Sequence, residues 1–257
     1  MKKESVTGIP AWKRGLLIGV IGLTAVGTAA GMRSRQMEQK SAMAMGDVSG
    51  KEDPATTKEK NITKQDKRIE STETKKIALT FDDGPHPRYT EELLDGLAER
   101  DVKATFFLLG ENIEGKEAVI KRMAEEGHLI GNHTYYHVDV TRLPEEEACR
   151  EILDTSERIM AITGQPVEYI RPPFGNWDKE LECQVVMLPI FWSVDTLDWT
   201  TRNEDQIVQK VVTNIQENDI ILMHDSYGST VKAALRIIDL LQAEGYEFVT
   251  ADELILE

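Results

Sequence analysis

From residue 75 to the end of the chain, short apolar runs alternate with segments whose apolar residues recur at helical spacing. The runs are typical of buried strands, and the longer segments are typical of amphipathic helices. Repeated strand–helix units predict an α/β fold, a sheet of parallel strands wrapped by helices. About seven units in this length favour a closed or nearly closed barrel. A doubly wound open sheet stays as the alternative, because periodicity does not show whether a sheet closes.

The predicted strands are short apolar stretches bounded by turn residues. They cover residues 76–80, 104–109, 128–131, 169–171, 190–194, 220–223 and 247–250. The predicted helices cover 90–100, 117–126, 144–163, 204–217 and 231–244. Gly127 and Gly164 directly follow two of these helices, at the position where glycine commonly ends a helix. Only fifteen residues separate Gly175 from Phe191, so we expect a short or irregular helix there.

The N-terminal region carries a separate signal, an uncharged run over residues 15–31 that follows four basic residues. This run favours a transmembrane signal anchor, with residues 1–14 as a short cytoplasmic segment. Small residues at its end are also compatible with a cleaved signal peptide, and a soluble core helix is the third alternative. Both leading alternatives place the remaining chain outside the cytoplasm, tethered to the membrane or, after cleavage, secreted.

Residues 32–74 contain no Phe, Trp or Tyr and are dominated by polar and charged residues. Such a composition does not bury enough apolar surface to offset the entropy of ordering, so we interpret this segment as a disordered polar stalk. Residues 75–257 then form one folded domain with 36 acidic and 17 basic residues. Because this excess of negative charge repels the phosphate backbone, we do not expect nucleic acid as a partner.

Cys149 and Cys183 are the two cysteines of the chain, and neither lies in a C-x-x-C pair. Two thiols do not make the dense disulfide framework of a small secreted scaffold. The pattern favours two unpaired, partly buried cysteines, which are common in protein cores, over a single disulfide bond.

Polar side chains directly follow the predicted strands. They are Asp82 and Asp83, His133, Arg171, Asp195 and Asp198, and His224. Because the carboxyl ends of parallel strands meet at one edge of a sheet, these side chains should converge on one site. Charged residues distributed at random would not occur repeatedly just after the strands.

His133 and His137 have a spacing that can bring two imidazoles to one metal ion. Two histidines and a carboxylate bind Zn²⁺ or another divalent metal and leave positions open for water and substrate. A second carboxylate beside such a site can remove a proton from the water. Asp82 and Asp83 could supply both carboxylates, although Asp-Asp-Gly alone is ordinary turn sequence.

Arg171 and His224 have two interpretations each. Arg171 is either a surface residue in a proline-stiffened loop or a fixed cation that keeps a nearby carboxylate ionised. His224 is either a core histidine or a general acid whose pKa is raised by a neighbouring carboxylate.

Five ordered motifs within residues 75–257 resemble those of the polysaccharide deacetylases of carbohydrate esterase family four, the NodB-homology domain. They are T-F-D-D-G at 80–84, H-T-Y-Y-H at 133–137, R-P-P-F-G at 171–175, D-T-L-D-W at 195–199 and L-M-H at 222–224. Each motif is common by itself, whereas the five in this order are specific. The resemblance implies a catalytic domain with a distorted (β/α)7-type barrel.

The resemblance also implies a role for each matching residue. Asp83, His133 and His137 would bind one divalent metal ion, with Zn²⁺ favoured and Co²⁺ or another metal as alternatives. Asp82 would be the general base, oriented by Arg171.

The remaining motif residues would complete the reaction path. The backbone N–H of Phe174 would stabilise the oxyanion, and His224, tuned by Asp198, would be the general acid. Tyr136, Trp199 and Leu222 would line the substrate pocket.

The implied reaction is hydrolysis of an acetamido group to an amine and acetate. Together with the predicted tether, it favours N-acetylglucosamine in peptidoglycan as substrate. N-acetylmuramic acid, chitin oligomers and O-acetyl xylan are alternatives, as is a non-catalytic carbohydrate-binding relative. All catalytic positions of the motifs are present, which disfavours the last alternative.

Overall fold

The computed structural model describes residues 74–181, 183 and 186–256. The predicted cytoplasmic segment, the anchor or signal peptide, and the stalk as far as residue 73 lie outside the described residues. Within the described part of the chain, no helix is long and apolar enough to cross a membrane.

A sheet of eight strands forms the centre of the fold. The strands are β1 (Lys75–Gly84), β2 (Thr105–Leu108), β3 (Leu129–Asn132), β4 (Tyr169–Ile170), β5 (Leu188–Pro189), β6 (Val194–Asp195), β7 (Ile220–His224) and β8 (Tyr246–Val249). Their order is β5-β4-β3-β2-β1-β7-β6, and β8 pairs with the first half of β1. Every described pairing is parallel, as the strand–helix alternation predicts.

Helices connect the strands and cover the outside of the sheet. They are α1 (Tyr89–Glu99), α2 (Glu117–Glu125), α3 (Glu145–Thr163), α4 (Asp198–Thr201), α5 (Glu204–Val212), α6 (Gly228–Ala243) and α7 (Ala251–Ile255). The longest, α3, begins after Pro144 with three glutamates in its first turn, where negative charge stabilises the helix dipole. It ends at Gly164, whose φ of +71° is the left-handed conformation of a helix C-cap.

The central strand β1 is buried on both faces. Its side chains point alternately to the two faces, and this alternation determines which of them reach the site. Ile77, Leu79 and Phe81 belong to the main core cluster, together with apolar residues of the surrounding helices. Ala78 belongs to a second cluster with Phe107 of β2. Since successive side chains of a strand point to opposite faces, Thr80 and Asp82 share the Ala78 face, inside the curved sheet.

The predicted strand over 190–194 is wrong, because this stretch joins two short strands at opposite ends of the sheet. β5 pairs with β4, whereas β6 pairs with β7. Between them, Arg171 Nε and Nη2 donate to the carbonyl oxygens of Ile190 and Phe191, both at 3.1 Å. A side chain therefore satisfies carbonyls that a strand ladder would otherwise use. No described pairing joins β5 to β6, so the sheet forms a partial barrel.

The predicted helix over 204–217 is also too long, since α5 ends at Val212. The side chains of Thr213 and Asn214 donate to the carbonyl oxygens of Gln209 and Lys210 at 2.7 and 2.9 Å. These hydrogen bonds compete with continuation of the helix. The short helices α4 and α7 were not predicted.

Cys149 and Cys183 form a disulfide bond with their Cα atoms 5.3 Å apart, so the predicted free thiols are wrong. The bond connects α3 to the segment between Gly175 and β5. The short or irregular helix expected after Gly175 does not occur among the described residues of this segment. Pairing depends on the distance between residues 34 positions apart, which spacing in the sequence does not reveal.

Candidate active site

A cavity of about 420 Å³ lies at the carboxyl ends of the strands. It is lined by Asp82, Asp83, His133, His137, Pro172, Phe174, Trp192, Asp195, Trp199, Leu222, His224 and Tyr227. Arg171 and Asp198 are fully buried and contact Asp82 and His224, respectively. Tyr136 does not line this cavity; it lines a neighbouring cavity of about 760 Å³ along α3.

Three side chains of the cavity form a potential metal site. Ligand atoms of Asp83, His133 and His137 all lie within 4.8 Å of one another. The Nε2 atoms of His133 and His137 lie 3.4 and 3.6 Å from Oδ1 of Asp83. Ligands about 2.1 Å from one tetrahedral centre lie roughly 3.4 Å apart, so these separations fit a metal such as Zn²⁺.

The bonding state of these atoms also fits a cation. Oδ1 of Asp83 is buried and has no hydrogen-bond partner among the described residues, a costly arrangement that a metal ion would relieve. Nδ1 of His133 lies 2.6 Å from the carbonyl oxygen of Arg171. Because a carbonyl only accepts, Nδ1 carries the hydrogen, and Nε2 presents its lone pair to the cluster.

The environment favours the protonation states that a metal requires. Burial alone would raise the pKa of Asp83, but its contact with His133 and the nearby histidine charges hold that pKa below its usual value. Burial lowers the pKa of His137, and the neighbouring His133 lowers it further. Both shifts favour an ionised carboxylate and a neutral imidazole, the forms in which these groups bind metals.

The backbone around the cluster is strained. Asp83, Thr134, His137 and Phe174 have φ values of +69°, +67°, +54° and +60°. Such left-handed conformations cost about 1–3 kcal/mol each for residues other than glycine. They persist where other contacts hold them, as Asn112 does by donating from Nδ2 to the Asp83 carbonyl oxygen at 2.8 Å.

Asp82 is held by a buried cation. Nη1 of Arg171 donates to Oδ1 of Asp82 at 2.9 Å, and the Arg171 side chain is 0% exposed. The guanidinium also lies 4.3 Å from the ring centroid of Phe107. The other oxygen of Asp82, Oδ2, lies 3.7 Å from Nε2 of His133. One oxygen is therefore anchored while the other faces the potential metal site.

His224 is held by a buried carboxylate. Its Nδ1 lies 2.8 Å from Oδ1 of Asp198, whose Oδ2 accepts from the His224 backbone and from the Thr230 hydroxyl, both at 2.8 Å. Burial alone would lower the pKa of His224, but the hydrogen bond and charge of Asp198, with the nearby aspartates, raise it to about 9. The imidazole is therefore protonated at neutral pH and suits a proton donor.

Aromatic side chains surround the cavity opening. Phe174 and Trp199 are 65% and 53% exposed, and the ring of Phe174 lies 4.8 Å from that of His137. Sequence reasoning missed Trp192 and Tyr227. Trp192 lies inside the stretch 190–194 that was wrongly predicted as one strand, whereas Tyr227 follows the end of β7 by three residues. The position of Tyr227 shortly after a strand end is a signal that could have found it.

Comparisons with known proteins identify the family that this chain resembles. The family model described as polysaccharide deacetylase matches residues 69–188. The chain is 39% identical over 180 residues to the peptidoglycan-N-acetylglucosamine deacetylase PgdA of Listeria monocytogenes, covering 70% of this chain and 39% of the relative. It is 41% identical over 180 residues to the peptidoglycan-N-acetylmuramic acid deacetylase PdaC of Bacillus subtilis, covering 70% and 38%. The match thus spans about two fifths of these relatives.

A solved structure gives broader coverage of the fold. The structure of the peptidoglycan deacetylase PdaC from Bacillus subtilis matches with a TM-score of 0.68 and 40% sequence identity. This match covers 71% of this chain and 90% of that chain. With this identity and coverage, the chain belongs to the polysaccharide deacetylase family.

Proposed function

We propose that this chain is a metal-dependent hydrolase that removes the acetyl group of N-acetylglucosamine in a cell-envelope polysaccharide, peptidoglycan, and releases acetate. Relatives in this family are hydrolases that act on amide carbon–nitrogen bonds. The observation that carries the proposal is a single cavity with three potential metal ligands and two acid–base groups. Each acid–base group is oriented by a buried partner of opposite charge.

Asp83, His133 and His137 would hold the metal ion. Two nitrogens and one oxygen suit Zn²⁺, and Co²⁺ accepts the same donors. When bound there, the ion supplies Lewis-acid polarisation and stabilises developing negative charge.

The chain's own residues carry the proton transfers. Asp82 accepts a proton from the water that attacks the acetyl carbonyl carbon, and Arg171 orients the Asp82 carboxylate. The backbone N–H of Phe174 donates to the carbonyl oxygen as it becomes negative. His224 donates its proton to the sugar nitrogen, the carbon–nitrogen bond breaks, and the amine and acetate leave. Asp198 keeps His224 protonated before this step.

The acetyl methyl group requires an apolar surface. Leu222 and Trp199 line the cavity, and Trp192 adds a second indole. We propose that these three side chains accept the methyl group and exclude water from it.

N-acetylglucosamine is the proposed sugar because relatives from Listeria monocytogenes and Bacillus cereus that this chain resembles are peptidoglycan-N-acetylglucosamine deacetylases. The described residues that line the cavity also include no lysine or arginine that would pair with the lactyl carboxylate of N-acetylmuramic acid. N-acetylmuramic acid is the second candidate, because the identity to the Bacillus subtilis relative is as high as that to the Listeria monocytogenes relative.

We place the domain outside the cytoplasm, where peptidoglycan lies. The support is the uncharged run over 15–31 followed by a polar segment, which suits a membrane tether, or a secreted form after cleavage.

The test is acetate release by the purified full-length chain in mild detergent. Peptidoglycan, chitin oligomers and acetylated xylan are compared, with and without added Zn²⁺ or Co²⁺. We expect metal-dependent release from peptidoglycan and a loss of about 10²–10⁴-fold in Asp82→Asn. Glu244→Gln, which removes an exposed charge just after α6, is the control and keeps wild-type activity. Absence of release from every polymer, or full activity of Asp82→Asn, contradicts the proposal.

A further inference from the structure

Glu151, on α3, contacts the loop between the two histidines of the potential metal site. Its Oε2 atom accepts hydrogen bonds from the backbone N–H groups of Tyr135 and Tyr136, at 3.0 and 2.8 Å. These two residues lie between His133 and His137. We propose that Glu151 is a positioning residue of the metal centre, which holds this loop so that both imidazoles face Asp83. The inference rests on the proposed metal-dependent function.

The loop needs such a partner because its backbone is irregular. β3 ends at Asn132, and the φ values of Thr134 and His137 are +67° and +54°. Consecutive N–H groups in such a backbone point to one side and form a concavity that binds an anion. The carboxylate of Glu151 fills this concavity, and hydrogen bonds to an ionised acceptor are about twice as strong as neutral ones.

The other side of the loop is fixed by main chain. The carbonyl oxygens of Thr134 and Tyr135 accept from the N–H groups of Gly110 and Glu111 at 3.0 and 3.1 Å. A Cβ atom on Gly110 would lie 2.3 Å from a ring carbon of Tyr135, so only glycine permits this approach. The loop therefore lies between a rigid turn and α3. On the helix side Glu151 binds its backbone, and the guanidinium of Arg158 lies 5.2 Å from the ring centroid of Tyr135.

The side chain of Asn132, at the end of β3, also connects this loop to α3. Oδ1 of Asn132 accepts from the Thr134 N–H at 2.7 Å. Nδ2 of Asn132 donates to the carbonyl oxygen of Ile152 and to Oγ of Ser156, at 2.7 and 2.8 Å. These contacts hold the start of the loop, whereas Glu151 holds its middle. Without Glu151 the histidines can move relative to each other while the fold stays intact.

The test is Zn²⁺ affinity of the full-length chain, measured by competition with a chromophoric chelator. We expect Glu151→Ala to weaken Zn²⁺ binding about 10–100-fold, the usual effect of removing a group that supports a metal ligand. Glu151→Gln keeps an oxygen that accepts both hydrogen bonds but loses the charge, so its Zn²⁺ affinity should lie between those of Glu151→Ala and wild type. Asp154→Ala is the matched control and should bind Zn²⁺ as wild type does. Asp154 is an exposed carboxylate on α3 and lines the same cavity along this helix as Glu151.

Thermal unfolding without metal separates positioning from a general loss of structure. The proposal requires that Glu151→Gln unfolds at the wild-type temperature and binds Zn²⁺ more tightly than Glu151→Ala. Wild-type affinity in Glu151→Ala, or equal losses in Glu151→Ala and Asp154→Ala, overturns the role of Glu151. Failure of the wild-type chain itself to bind Zn²⁺ overturns the proposed function instead, so the two failures are distinguishable.

Discussion

Nδ1 of His224 and Oδ1 of Asp198 are 2.8 Å apart, and the second oxygen of Asp198 is also occupied by two donors. The carboxylate therefore has no freedom to turn away from the imidazole. This pairing, together with the charges of Asp82 and Asp83, raises the pKa of His224 to about 9, against the effect of burial. A proton donor with a raised pKa stays charged through neutral pH and loses its proton only in alkaline solution.

The first prediction concerns the alkaline limb of the pH profile. In Asp198→Asn the hydrogen bond to an anion is lost, so the pKa of His224 should fall from about 9 toward its usual value of 6.5. Because the acid must be protonated, kcat/KM should then fall about two pH units earlier than in wild type. The measurement is kcat/KM for a soluble N-acetylglucosamine oligomer across the pH range. An alkaline limb that does not move contradicts the assignment of His224 as general acid.

The second prediction concerns the buried pair of Arg171 and Asp82. Arg171→Met leaves the Asp82 carboxylate buried without its cation, and it also removes the donors to the carbonyls of Ile190 and Phe191. Breaking a buried pair in this way costs about 3–5 kcal/mol of unfolding free energy. Urea unfolding of the metal-free protein measures it.

The control for Arg171 is an exposed ion pair of the same kind. Arg88→Met breaks a contact of 2.7 Å with Glu92 at the protein surface. Exposed pairs contribute little, so we expect little change in the free energy of unfolding. If Arg171→Met and Arg88→Met lose similar amounts of unfolding free energy, burial does not strengthen the Arg171–Asp82 ion pair.

Much of the site could be predicted because residues at strand ends converge in a parallel sheet. Asp82 and His224 each follow an apolar run, which suffices to place them at the same edge. Their register could not be predicted: Asp82 lies directly opposite His224, because β7 is the neighbour of β1. That neighbour relation joins strands about 140 residues apart, and no local pattern encodes it.

The failures have a common physical cause, which is that long-range contacts override local signals. The apolar stretch around Ile190 has the composition of one strand. In the structure Arg171 donates to the carbonyl oxygen of Ile190, and the stretch separates β5 from β6. Glu151 is one of several glutamates on α3. Only its hydrogen bonds to the backbone of Tyr135 and Tyr136 distinguish it, and these depend on the fold. Cys149 likewise has no local feature that reveals its partner.

The third prediction concerns the disulfide bond. Replacing Cys149 and Cys183 by serine removes a cross-link that closes a loop of 34 residues. The chain-entropy model gives a loss of about 4 kcal/mol for a loop of this length. Urea unfolding of the double variant measures it, and reduced wild type should lose the same amount. Equal stability of oxidised and reduced wild type contradicts a role for the bond in stability.

The fourth prediction concerns Asp225, which follows His224 but is used in no proposed step. Its carboxyl group is fully buried, accepts a hydrogen bond from Thr90, and has one oxygen without a partner among the described residues. Burial raises the pKa of Asp225 from 3.8 to about 7. Between these two values the folded state binds a proton that the unfolded state has lost. The contribution of Asp225 to stability is therefore present at low pH and is lost as the pH rises to about 7.

Asp225→Asn removes this titration, because the amide resembles the protonated acid in shape and charge. The stability of Asp225→Asn relative to wild type should therefore increase by more than about 1 kcal/mol as the pH rises through this window. Urea unfolding at several pH values in chelator measures the difference. A constant difference in stability between Asp225→Asn and wild type would mean that the buried charge of Asp225 is already compensated.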